Sequence, residues 1–349
     1  MAIDVTVLGA GIFGLSCAWS LVRRGARVRV IDPGGVGAGA SGGVVGALAP
    51  HVPEQWNDKK AFQLDSLLMA KDWWAEVAAA GGGDPGYGRT GRLQPVPDAE
   101  ALDRALARAS GAATLWPASV RWEVIDAPRD WAPETATGKV IHDTLSARIH
   151  PARACEALAR ALRAAGTEIA ASGTETGMVL HATGWRGLVK MSDDKGRAAG
   201  GGVKGQAVVL DFDRRDAPQL YADGLHIIPH ADGTLAIGST SEREFDAPDT
   251  TDARLDDVLT RARAALPFLR DAPVLRRWAG VRPRARSRAP LLGSWPGRDG
   301  HFIANGGFKI GFGMAPKVSV VLADLMLDGR DAIPEAFRTD ALAPWPGRD

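Results

Sequence analysis

Near the amino terminus, apolar residues come first as a continuous run and then at every third or fourth position. Asp4 to Leu8 is short and apolar and reads as a buried strand. Ile12, Leu15, Trp19 and Val22 then share one face of a helix, Gly25 stops it, and Val28 to Ile31 gives a second strand. Two strands joined in this way lie parallel, with a right-handed crossover that packs the helix on the sheet.

The same reading carries along the chain. Gly34 to Pro50 is almost wholly Gly, Ala, Val and Ser, and a helix around Leu64, Leu67, Leu68, Trp74 and Val77 ends at Gly81-Gly82-Gly83. Pro151 opens a helix with Ala154, Leu158, Ala161 and Leu162 on one side. Gly166 ends it, and strands are expected over Thr167 to Ala170 and Gly177 to Gly184. Asp84 to Glu134, rich in Pro, Trp and Arg, marks a different region. Val203 to Arg277 contains alternating runs such as Val208 to Phe212 and Leu235 to Gly238, the pattern of an antiparallel sheet. The last helix is expected from Pro316 to Leu327, before Gly329. The chain thus reads as two nested domains, one from residues 1–83, 135–202 and 278–349 and the other from 84–134 and 203–277.

Composition narrows the class. A chain of 349 residues that is 45% hydrophobic and 24% charged has the make-up of an ordinary soluble globular enzyme. Its net charge of +1 argues against a surface built for nucleic acid. The two cysteines, Cys17 and Cys155, lie in apolar helical contexts, with no metal-ligand or disulfide spacing, which suits a reducing cytoplasm. The run from Val5 to Val22 lacks a basic leader and is broken by three glycines, so it is neither a signal nor a membrane span, and no other stretch is long enough to cross a bilayer.

Gly9-Ala10-Gly11-Ile12-Phe13-Gly14 follows a strand and opens a helix, and Asp32 closes the next strand at about the twenty-residue interval of a ribose-binding acid. Gly9 permits the tight turn, Gly11 lets the backbone approach a pyrophosphate, and Gly14 lets the helix pack on the sheet, while the helix's free amides face the phosphates. An acid at residue 32 disfavours the 2′-phosphate of NADP. The motif by itself leaves NAD and FAD open.

Gly39-Ala40-Ser41-Gly42-Gly43-Val44-Val45-Gly46-Ala47-Leu48-Ala49-Pro50-His51 resembles the second flavin-contacting stretch of the D-amino acid oxidase superfamily, especially its glycine oxidase and sarcosine oxidase branch. Gly205-Gln206, and Ile228-Pro229 through Gly238-Ser239-Thr240-Ser241-Glu242, look like the sheet of that family's substrate domain. Trp278-Ala279-Gly280-Val281-Arg282-Pro283 is similar to the segment bearing the arginine that grips the substrate carboxylate. Asn305-Gly306-Gly307-Phe308-Lys309-Ile310-Gly311-Phe312-Gly313-Met314-Ala315-Pro316 resembles the closing loop whose backbone amides contact the flavin pyrimidine before the last helix. The resemblance implies an α/β fold, a Rossmann-type FAD-binding domain with an inserted, mostly antiparallel substrate domain. It also implies FAD held without a covalent tether, since no cysteine lies near Arg282 or the closing loop, and no metal. The cofactor would be contacted by Gly9, Gly11, Ile12, Phe13, Gly14, Asp32, Ala40, Ser41, Gly46, Ala47, Leu48, Thr183, Gly184, Gly306, Gly307, Phe308, Lys309 and Ile310. The stretch from Ile169 to Met178 is shorter than the family's usual hairpin meander, so no adenine-contacting residue is assigned.

The activity implied is oxidation of the carbon–nitrogen bond of a small amine or amino acid (glycine, sarcosine or a D-amino acid), with a hydride equivalent passing to flavin N5 and the imine then hydrolysed. Arg282 would hold the substrate carboxylate bidentately. Lys309 would lie near the same carboxylate and stabilise negative charge on the ring. His51 and His226 fall where relatives line the substrate cavity, and either would take a proton from the substrate ammonium if its pKa were near neutral. Oxygen or another electron acceptor completes the cycle, a dehydrogenase being the alternative to an oxidase. Two further readings stand beside these. Related flavin domains remove a carboxymethyl group from tRNA wobble uridine, for which the arginines from Arg276 to Arg288 would form a phosphate footprint. A nucleotide-binding module without catalysis would be left unreduced by any amine.

Overall fold

The computed structural model describes residues 2–81, 83–192 and 196–342. Two sheets organise them. The first has six strands in the order Leu291–Ser294, His301–Asn305, Met178–His181, Val5–Leu8, Val28–Ile31 and Glu168–Ala170, all parallel except for the Leu291–Ser294 edge. The central strands read as near-continuous apolar runs because helices cover them: Val5, Val7, Val28 and Val30 are buried with Leu15, Leu158 and Val318 from the helices Ile12–Arg23, Pro151–Ala164 and Gly311–Asp328.

The second sheet has eight strands, in the order Val274–Ala285, Gly200–Asp211, Thr234–Gly238, Leu225–Pro229, Gln219–Ala222, Arg92–Val96, Lys139–Asp143 and Trp122–Asp126. It is antiparallel apart from the pairing of Gln219–Ala222 with Arg92–Val96, which joins the two excursions of the chain. One face is closed by the helix Ala253–Ala265, whose Leu255, Val258 and Ala262 pack on Val208, Leu210, Ile227 and Ile237. The opposite face meets the first module: Ala207, Val209, Ile228, Ala236 and Trp278 pack on Val44, Val45 and Ala47. This alternation decides which side chains reach the site.

The strands cross the boundaries of the sequence reading in three places. Lys139–Asp143, expected with residues 135–202, instead pairs with Arg92–Val96 and Trp122–Asp126. Its partner Arg92–Val96 is distant in sequence, and nothing within five residues marks which sheet the strand joins. The long strand Val274–Ala285 runs unbroken through the expected boundary at residue 278, because it is an edge strand whose first four residues are exposed. Its partner Gly200–Asp211 likewise starts before residue 203.

The short stretch after Ile169 crosses straight over the first sheet. Thr6 Oγ1 donates to Thr176 O at 2.8 Å and accepts from Thr176 N at 3.0 Å, and Gly177 (φ +68°) passes so close to Asp4 that a Cβ would stand 2.2 Å from its carbonyl oxygen. No helix among the described residues is long and apolar enough to cross a membrane.

Candidate active site

The glycine turn has the geometry its sequence requires. Gly9 has φ +113°, and a Cβ at Gly14 would lie 1.9 Å from Gly9 O, so the turn and helix close only without side chains. The first turn of Ile12–Arg23 carries no acidic residue, which leaves the positive end of the helix for an anion. Asp32 is fixed at the end of the second strand: Oδ2 accepts from Ala10 N at 2.7 Å and Oδ1 from Gly34 N at 2.9 Å. Ser41, in the turn Ala40–Gly42, accepts from Ile12 N at 3.0 Å, so its hydroxyl stands at the helix terminus.

From there the small-residue segment runs between the two modules. His230 Nε2 donates to Val44 O at 2.8 Å, and a Cβ on Gly46 would meet Ile149 O at 1.9 Å. The Trp278 ring fills the space above Gly280, 2.5 Å from where a Cβ would sit, and also abuts Gly43. At the other end of the chain, Gly307 approaches Phe13 so closely that a Cβ would be 2.9 Å from Phe13 Cζ. The amino-terminal turn and the carboxy-terminal loop therefore meet. Asn305 clamps that loop to the end of the Met178–His181 strand, with Nδ2 donating to Gly184 O at 2.9 Å and Oδ1 accepting from Gly306 N at 2.8 Å. Thr183, beside it, is exposed. Phe308 adopts φ +42°, uncommon for a side chain of its size, and its N–H donates to Pro283 O at 3.0 Å, which ties the loop to the strand bearing Arg282.

Tyr221, His226, Gly238, Ala207 and Trp278 form one row across five strands on the face that meets Val44 and Val45, and Arg282 lies farther along the same face. The guanidinium is partly buried over Gly205. NH1 donates to Ser239 Oγ at 2.8 Å, NH2 to Thr240 O at 2.7 Å and Lys204 O at 3.2 Å, and buried Nε has no partner. Burial pulls its pKa down to about 10, opposed by the charge of Glu242. A guanidinium remains protonated at any working pH. Glu242, itself buried, accepts from Arg254 at 2.6 Å, Gln206 at 3.0 Å and Thr240.

Lys309 Nζ lies 5.7 Å from the Phe308 ring centroid. Crowding by the protein, then repulsion from Arg282, lowers its pKa, although the side chain still reaches solvent. His226 is half-buried: desolvation, then Arg92 and Lys309, pull its pKa down to about 3, and Nδ1, itself out of solvent, has no partner. The condition set for a proton-accepting imidazole, a pKa near neutral, is not met at this position, because the conjugate acid is too acidic to hold a proton taken from a substrate ammonium. His51 is not drawn into the cluster. It is exposed, its N–H donates to Gln63 Oε1 at 2.8 Å, and its Nδ1 contacts the same oxygen.

Sequence reasoning did not single out Ser239, Thr240, Glu242, Gly205 or Trp278 for the parts they play. Gly205 and the Gly238–Glu242 stretch stood out as sheet segments, but that they clear and hold the Arg282 guanidinium needs three dimensions. The arginine run does not form one phosphate footprint. Arg277 pairs with Asp256, Arg286 donates to Ala198 O and Leu342 O, and Arg282 and Arg284 turn inward to Phe308.

The residues fit FAD: a side-chain-free turn at a helix terminus, an acid on the second strand, a narrow segment of small residues between modules, and unpartnered buried nitrogens on Arg282 and His226. Comparison with known proteins agrees. The family described as FAD dependent oxidoreductase (DAO) matches residues 4–325. Glycine oxidase of Bacillus licheniformis is 25% identical over 93% of this chain and 93% of its own length, and that of Pseudomonas putida 28% over 96% and 98%. The crystal structure of glycine oxidase from Bacillus cereus superimposes with a TM-score of 0.83 at 19% identity, covering 97% of each chain.

Proposed function

Because this chain belongs to the DAO family of FAD-dependent oxidoreductases, we propose that it oxidises the carbon–nitrogen bond of a small amino acid, of which glycine, sarcosine and D-amino acids are the leading examples. The observation that carries this reading is the convergence of the Gly9–Gly14 turn, the Gly306–Ile310 loop and Arg282, through the contacts of Gly307 with Phe13 and of Phe308 with Pro283 and Arg282. The six-stranded module is taken as the cofactor domain and the eight-stranded sheet as the substrate domain. FAD would lie along Gly9, Gly11, Ile12, Phe13, Gly14, Asp32, Ala40, Ser41, Gly46, Ala47, Leu48, Thr183, Gly184 and Gly306 to Ile310. When bound, it supplies the acceptor for a hydride equivalent from the substrate α carbon.

The chain's own residues supply orientation. Arg282, pinned by Ser239, Thr240 and Lys204, presents a fixed cation to the carboxylate and sets the direction of the α carbon. Lys309 adds positive charge at the loop expected to edge the ring. His226 Nδ1, unpartnered, would accept a hydrogen bond from the amine N–H. Two free, buried cysteines suit a reducing compartment such as the cytoplasm.

The test is anaerobic mixing of the flavin-loaded protein with glycine, sarcosine and D- and L-amino acids, read as bleaching of the flavin band. Bleaching by at least one is expected, and a flavin that no amine reduces would sink the reading. Peroxide on admitting air marks oxygen as the acceptor; dye reduction without peroxide marks a dehydrogenase.

A further inference from the structure

Arg282 is not the only guanidinium beside Phe308. Arg284 lies two residues on along the strand Val274–Ala285, on the same face and about 6.6 Å away along the chain. Both turn to one ring: Arg282 Cζ is 5.5 Å and Arg284 Cζ 5.6 Å from the Phe308 centroid, with Lys309 Nζ at 5.7 Å. Three cations thus surround one aromatic side chain. Among the described residues none of the three has a carboxylate partner, and the Arg284 guanidinium makes no hydrogen bond or ion pair, its contact being with the Phe308 ring. The acid nearest in effect, Glu242, is already shared by Arg254, Gln206 and Thr240.

Cation–π attraction to Phe308 is modest, and it leaves the three cations facing one another with no acid between them. Incoming anions would find them unpaired. One substrate carboxylate matches Arg282, and negative charge on the cofactor ring matches Lys309. Arg284 is left over. The cofactor's phosphates belong to the Gly9–Gly14 turn and Ser41, at the other module's helix terminus.

Resting on the proposed function, we infer that the substrate carries a second carboxylate, which Arg284 binds while Arg282 holds the first. The class is small amino or imino dicarboxylates, such as an acidic amino acid or an amine bearing two carboxymethyl groups. Arg284 would be the residue that separates them from glycine or alanine. The spacing fits: one strand presents two guanidinium forks on one face, as two carboxylates on a short carbon chain require.

Turnover and binding are measured separately. In steady state, sarcosine is compared with iminodiacetate, and D-alanine with D-aspartate, for the natural protein, Arg284→Gln and Arg282→Gln. The natural protein is expected to favour the dicarboxylate of each pair by about tenfold or more in kcat/KM. Arg284→Gln should cut that ratio about tenfold, whereas Arg282→Gln should impair both members of each pair. Independently, succinate and acetate are titrated against the flavin spectrum, where succinate should bind tighter and lose its advantage in Arg284→Gln. Amines that reduce the flavin with no preference for dicarboxylates, or a ratio unmoved by Arg284→Gln, overturn the inference and leave the amino acid reading intact. If no amine reduces the flavin but succinate still binds through Arg284, that reading falls and the dicarboxylate site stands. Loss of FAD affinity in Arg284→Gln with no change in the ratio would assign Arg284 to the cofactor and overturn the inference.

Discussion

A Cβ placed on Gly205 would stand 2.7 Å from Cζ of Arg282, so the guanidinium occupies space that exists only because residue 205 has no side chain. Gly205→Ala should therefore push the guanidinium off Ser239 Oγ and Thr240 O without touching the cofactor turn. The expected result is a rise of about tenfold in KM for the amino acid, with FAD content unchanged. Arg282→Ala should raise KM further, by about a hundredfold, since the charge-assisted contact is removed and not merely displaced. Steady-state kinetics on flavin-saturated protein decide it, and an unchanged KM in Arg282→Ala removes this residue from the site.

Gly14→Ala tests the turn itself. The added methyl carbon would lie 1.9 Å from Gly9 O and 3.3 Å from Ala182 Cβ, and neither the backbone of a tight turn nor a packed strand end can yield cheaply. Destabilisation of about 1–3 kcal/mol is expected, with loss of bound flavin. The ratio of flavin to protein absorbance after purification, with the melting temperature, checks both.

How far the sequence reaches is plain from these residues. Gly9, Gly14 and Asp32 were legible because their roles depend on backbone within one strand–helix–strand unit, where spacing fixes geometry. The meeting of Gly307 with Phe13 was legible only through resemblance, since nothing local connects residues so far apart. Glu242 and Thr240 escaped because their work on Arg282 depends on the register of three strands. His226 was located but its protonation was not, because burial and the nearby Arg92 and Lys309, which determine it, are properties of the assembled site.

Asp32→Ala should weaken FAD and loosen the turn together. Its carboxylate accepts from Ala10 N and Gly34 N, so truncation leaves two loop amides without their partner and removes the acceptor for the ribose hydroxyls. Hydrogen bonds to a charged group contribute about 1.5–3 kcal/mol, so the dissociation constant should rise about ten- to hundredfold. Asp32→Asn, which keeps an acceptor oxygen, should fall between. Fluorescence titration of the flavin-free protein measures it, and equal affinities across the series would exclude the acid from the cofactor site.

Acid should destabilise the protein well before its carboxylates titrate. His150 and His181 are held near pKa 4 and His226 near 3, each chiefly by burial, against about 6.5 in the unfolded chain. Between those limits the unfolded chain binds protons that the folded chain refuses, so stability rises with pH through the window and is lost as pH falls below about 6.5. Each histidine adds at most about 1.4 kcal/mol per pH unit, less where solvent reaches the ring. The melting temperature should therefore drop from pH 7 to pH 5, and His226→Phe should flatten that slope. The pH profile of kcat/KM should show no acid limb from His226 over the same range, because the ring is neutral throughout it. A slope unaffected by His226→Phe would mean the imidazole is already accessible to protons in the folded protein, and with it would go the neutral hydrogen-bonding role assigned to this residue.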